Sequence, residues 1–231
     1  MTSVSSAPQG TAFEEMMTLY RVCVHIQQGS KTLLGHAEEM AAIAINAAIA
    51  AARSKGNQRA LGVLANEAAR ISQRISSQVS EIQGAASTLA KRGLFGVLKC
   101  REAQTMTVAR RRIADGANAD IVQAAICRNE EEVQRVLRDV EAMREAITEQ
   151  WRAIDRQNAR IIQIAAAFRI EATRDDSLGA YFTHIATLLN ALNEQIKESS
   201  EQLRRLLDQF AAPSARARRP LADRSPVRLR P

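Results

Sequence analysis

VQRVLRDVEAMREAITEQWRAIDRQNARIIQIAAAF, residues 133–168, places an apolar or amide side chain every three or four positions, with no Gly or Pro to interrupt it. The seam reads Val133, Val136, Val140, Met143, Ile147, Gln150, Ile154, Gln157, Ile161, Ile164, Phe168. Alternating threes and fours give the heptad of a coiled coil, so the stretch predicts a long helix that needs a partner along one stripe.

Three more seams follow the same rule. Phe13, Met16, Tyr20, Cys23, Gln27, Ser30, Leu34, Ala37, Ala41, Ala44, Ala48 and Ala51 predict a first helix over 12–53. Leu61, Leu64, Ala68, Ile71, Ile75, Gln78, Ile82, Ala85 and Leu89 predict a second from residue 58, kinked at Gly93 and Gly96 and continuing through Arg112. Phe182, Ile185, Leu189, Leu192, Ile196, Ser199, Leu203, Leu206 and Phe210 predict the last. Short polar turns separate them at Ser54-Lys55-Gly56-Asn57, Asp115-Gly116-Ala117-Asn118 and Asp175-Asp176-Ser177. Segments 58–115 and 118–174 match in length at ~85 Å, since an α-helix rises 1.5 Å per residue. The turns near 56 and 176 therefore share one end. The expected fold is all-α: two long antiparallel coiled-coil hairpins forming a four-helix bundle that thins to a two-helix stalk at 116. Its divisions are a disordered N-terminus (1–11), a first hairpin (12–92), connecting stalk helices (93–130), a second hairpin (131–211) and a disordered basic tail (212–231).

Composition agrees with long helices. The 231 residues are 46% hydrophobic but 3% aromatic, which suits interlocking aliphatic seams. No stretch approaches the ~18 consecutive apolar residues that span a bilayer, and MTSVSSAPQG lacks the order of a secretion signal, so a cytoplasmic location is expected. Cys23, Cys100 and Cys127 are widely separated and read as reduced, small, buried apolar residues. His25, His36 and His184 are too scattered for a metal site. No phosphate loop, nucleophile motif or convergent acid pair stands out, so neither enzymatic activity nor a cofactor is expected.

The net charge of +7 is concentrated at one end. From Pro213 onward the chain has six Arg against Asp223, together with four of its five prolines. This tail offers a contact to nucleic acid or a membrane surface. A second basic segment, KRGLFGVLKCREAQTMTVARRR at 91–112, mixes Leu94, Phe95, Val97 and Leu98 with seven cations and one acid, Glu102. It reads either as a basic amphipathic patch meeting a membrane surface or an anionic partner or, the expected case, as a kinked helix whose apolar face packs on the third helix.

Around the first turn, residues 45–72 read INAAIAAARSKGNQRALGVLANEAARIS. Asn46, Ala47, Ala48, Ile49, Ala51, Ala52, Arg53, Arg59, Val63, Ala65 and Glu67 match, without a gap, the signalling hairpin tip of bacterial chemoreceptors, the methyl-accepting chemotaxis proteins. Arg169-Ile170-Glu171-Ala172-Thr173-Arg174 resembles a degenerate second copy of one arm of that tip. The resemblance implies a soluble signalling protein in which the tip engages a chemotaxis histidine kinase and its coupling adaptor. Carried over residue by residue, it implies partner-binding roles for Asn46, Ile49, Arg53, Arg59, Val63, Glu67, Glu171 and Arg174. Asn46 is also read as a polar group fixing register in the seam, and Arg53, Arg59 and Glu67 as charges at an exposed end.

Set against that family, the sequence is read as lacking a ligand-binding domain, membrane anchor and linker module, an expectation that sets it apart. Methylation is not expected, because Glu38-Glu39 lies too near the tip and Glu198-Ser199-Ser200-Glu201-Gln202 belongs to a short bundle. The alternative is a non-enzymatic coiled-coil scaffold that binds anionic partners through its basic stalk and tail, with the hairpin serving self-association.

Overall fold

The computed structural model describes residues 7–53, 58–113, 116–174 and 178–217. Four helices make up nearly all of them: α1 (Ala7–Ala51), α2 (Gln58–Arg110), α3 (Ala117–Ala172) and α4 (Gly179–Ala217). Each packs on its neighbours in sequence, and α1 closes the ring against α4. The protein is an all-α, up-down-up-down four-helix bundle. Among the described residues there is no strand, and no helix is long and apolar enough to cross a membrane.

The core is a continuous seam, and its phase differs from the expected one. In α1 the buried positions are Met16, Leu19, Val22, Cys23, Ile26, Ser30, Leu33, Ala37, Met40, Ala44, Ala47 and Ala51. The track Met16, Cys23, Ser30, Ala37, Ala44, Ala51 is as expected. Its companion lies one residue earlier, so Ile26 is buried while Gln27 is only half-buried. In α2 the companion track lies one residue later, at Ala65, Ser72, Val79 and Ala86. In α3 the expected spacing holds to Ile147 and then steps by four to Trp151, Ile154, Asn158, Ile161, Ala165 and Phe168. A step of four where three is due is a stutter, which locally relaxes the left-handed supercoil. It accommodates the only Trp of the chain, which is 1% exposed.

Glycine works here by closeness. α2 runs as one helix through Gly93 and Gly96. A Cβ built on Gly96 would come within 2.6 Å of Met16 Sδ, and one on Gly93 within 3.3 Å of Leu19 Cδ2. These glycines let α1 lie directly on α2. Gly116, just before α3, adopts φ 145° and ψ −174°, a region that residues with a Cβ avoid. It makes the turn that returns the chain.

Two substitutions separate the two uses of glycine in a helix. Gly84 has open space around its Cα, so Gly84→Ala should raise stability by about 0.5–1 kcal/mol through helix propensity. Gly29 sits where a Cβ would fall 2.5 Å from Leu203 Cδ2, so a β-branched side chain there must displace the Leu203 side chain from between α1 and α4. Gly29→Val should cost about 1–3 kcal/mol. Urea midpoints of the two variants moving in the same direction would contradict this packing.

Ion pairs decorate the outside. Arg92 pairs with Asp139 and Arg160 with Glu67, joining α2 to α3, and Arg204 lies 3.7 Å from Asp155, joining α4 to α3. Exposed pairs of this kind contribute about 0–1 kcal/mol each, so the apolar seam and not charge holds the bundle. Met16 lies level with Gly96 and Val136, which places the return at Gly116 opposite the end where α1 meets α2 and α3 meets α4.

Candidate partner-binding site at the hairpin tip

Small residues bring the helices together at this end. Ala44, Ala47 and Ala51 of α1 and Ala65 and Ala68 of α2 are wholly buried. With those positions inward, the 3.6-residue period turns Asn46, Ile49 and Arg53 outward, and all three are exposed. Asn46 is therefore not a register residue in the seam, contrary to the reading from sequence. Core asparagines occur elsewhere, at Asn129, Asn158 and Asn193.

Asn46, Ile49, Ala50 and Arg53 line one wall of a shallow groove of about 350 Å³, and Leu178 and Tyr181 of the α3–α4 return line the other. Tyr181 is held by its neighbour: its ring meets Phe182 edge-on at 5.6 Å, and Phe182 stacks on Phe168 at 6.0 Å with the planes 8° apart. Phe168 and Phe182 are fully buried, so the wall carrying Tyr181 is anchored to the core. The groove combines an aliphatic floor with an amide, a phenol and a guanidinium at its rim. That set suits a helix or extended segment presenting an apolar side chain beside a carboxylate or carbonyl.

The remaining residues of the tip lie on other faces. Arg59 is exposed near the start of α2, and Val63 is 62% exposed. Glu67 is half-buried and engaged, pairing with Arg160 of α3 and lying 3.5 Å from Arg70, so it joins helices instead of offering a free charge. Glu171 accepts from Arg174 at 3.1 Å at the end of α3. The helix ends there with Thr173 Oγ1 donating to the Ile170 carbonyl at 2.7 Å. The structure thus gathers Asn46, Ile49 and Arg53 into one groove and disperses Arg59, Val63, Glu67, Glu171 and Arg174 around the same end. The turns expected at 54–57 and 175–177 lie outside the described residues.

Sequence reading missed Ala50, Leu178 and Tyr181. Tyr181 did carry a signal, an aromatic residue directly after a turn in a chain with two Tyr. Among the described residues no three His, Cys, Asp or Glu side chains converge as metal ligands do. Cys23 and Cys100 are buried as expected, while Cys127 is exposed, with its sulfur accepting from Gln123 Nε2 at 3.7 Å. No protein-family model matches the sequence, and no curated protein aligns with it.

Proposed function

We propose that this protein is a cytoplasmic, chemoreceptor-like signalling bundle that engages a chemotaxis histidine kinase and coupling adaptor through its hairpin tip. One observation carries the reading: the tip-like string splits into residues the fold needs and residues it does not. Ala47, Ala51 and Ala65 are core. Asn46, Ile49, Arg53, Arg59 and Val63 face outward, where packing demands neither Ile nor Val nor any particular order of charges. Ile49 and Val63, 51% and 62% exposed, are the residues a partner would cover.

The test is co-purification of the kinase and adaptor with wild type, Arg53→Glu and a chain ending at Ala212. Arg53 is exposed at the groove rim, so its reversal should leave helix content unchanged while opposing an acidic partner. Affinity should fall about tenfold or more, equivalent to ~1.4 kcal/mol. Retention of both partners by Arg53→Glu, with their loss on tail truncation, would favour a scaffold that binds anionic partners through basic segments. That second reading is supported by the outward-facing basic stripe on α2.

A further inference from the structure

Helix α2 inverts the usual amphipathic order over its last turns. Its inward positions are Leu89, Ala90, Gly93, Gly96, Val97, Cys100 and Ala103, mostly small, while the bulky Leu94, Phe95, Leu98 and Val108 stand outward, 41–52% exposed. Of the four apolar residues expected to pack inward, Val97 is buried, and Leu94, Phe95 and Leu98 are not. At 3.6 residues per turn, Leu94, Phe95, Leu98 and Val108 share one arc of about 140° with Lys91 and Arg101. Both cations are exposed. The one acid in the arc, Glu102, is bound by Lys99 at 2.7 Å, and that ammonium also lies 5.6 Å from the centre of the Phe95 ring.

We infer that this face of α2 docks on an anionic lipid bilayer surface, lying along it and not through it. Aliphatic and aromatic side chains framed by Lys and Arg match the acyl boundary and the phosphate layer together. A second copy of the chain fits less well, because apposing two such faces sets Lys91 and Arg101 against their own kind. The glycines and small residues inward let α1 back this stretch of α2 closely, so the docking face is a rigid rod. It stands at the end of the molecule away from the tip groove, leaving that groove free.

The test is flotation of the full chain with vesicles of phosphatidylcholine alone and of phosphatidylcholine mixed with phosphatidylglycerol. Wild type should float with the mixed vesicles only, and raised salt should release it. Leu94→Gln combined with Leu98→Gln alters no charge anywhere, the Arg-rich tail included, and should lower partitioning at least ~tenfold. Lys91→Gln combined with Arg101→Gln should lower it by about fivefold per charge. All four positions are exposed, so circular dichroism should show unchanged helix. Flotation of the double leucine variant equal to wild type would assign binding to the tail and overturn the inference. Equal flotation on neutral vesicles would overturn it as well, as would a dimer in light scattering that the same substitutions dissociate. No kinase or adaptor enters the assay, so its outcome is separate from that of the tip reading.

Discussion

Phe168→Ala should lower the free energy of unfolding by about 3–5 kcal/mol, the range for deleting a fully buried aromatic ring. Phe168 is 0% exposed near the end of α3 and stacks on Phe182 of α4. The neighbouring layers of α1 and α2 are alanine, at Ala44, Ala47, Ala51, Ala65 and Ala68, and these side chains cannot extend into a vacated space. A helical backbone held by further seam residues on both sides cannot collapse far either, so the cavity term adds to the lost transfer energy. Removing the ring also undercuts Phe182 and, through it, Tyr181 at the groove. The variant should therefore lose partner affinity as well as stability, whereas Phe168→Leu should recover much of both. Urea unfolding followed by helical circular dichroism measures the first effect. A loss below about 1 kcal/mol would mean that the alanine layers, and not the aromatic pair, hold this end together.

The heptad period was legible in the sequence because it is a local property, and it sufficed for four helices, their order and the end at which the returns meet. Phase was not, for a definite reason. From Met16, a companion seam residue three or four positions on satisfies the same seven-residue period, so Leu19 and Tyr20 compete on equal terms. The decision rests on which track is more apolar, and Leu19, Ile26, Leu33 and Met40 exceed Tyr20, Gln27, Leu34 and Ala41. In α3 the phase changes at Trp151, and no single period describes both halves. Asn46 lies on neither companion track, since both phases, Ala44 with Ala48 and Ala44 with Ala47, leave it off the seam.

The groove was illegible for another reason. It needs Asn46 and Tyr181, far apart in sequence, to meet across the α1–α4 contact that closes the ring. Segment 91–112 reads from sequence as a basic amphipathic patch or as a packed helix, and the choice between them was not legible because bulky apolar residues normally mark the buried side. Here Gly93 and Gly96 fill it, permitting an approach that a larger side chain would prevent.

The three thiols should differ by orders of magnitude in reactivity. Cys23 is 0% exposed between Val22 and Ile26 in the α1 seam, and burial pushes its thiol up from 9.0 to about 12. Cys100 is raised as well, by burial first and then by the carboxylate of Glu15. Cys127 is exposed on α3. Because the thiolate is the nucleophile, maleimide at pH 8 should take up one equivalent rapidly at the exposed Cys127, while burial leaves Cys23 roughly a thousandfold less ionised than when the chain is unfolded and so far slower. The same shift links to stability. Below pH 9 the Cys23 thiol is protonated in both folded and unfolded chains and exerts no pH dependence. Between pH 9 and about 12 it ionises only when unfolded, so stability falls as pH rises, by about 1.4 kcal/mol per unit. By pH 11 wild type should have lost close to ~3 kcal/mol through this group, and Cys23→Ala should lack that share of the decline even though its cavity lowers stability at neutral pH. Parallel stability curves for the two proteins from pH 8 to 11, or rapid labelling of Cys23 in the folded chain, would show that the α1 seam opens at this position.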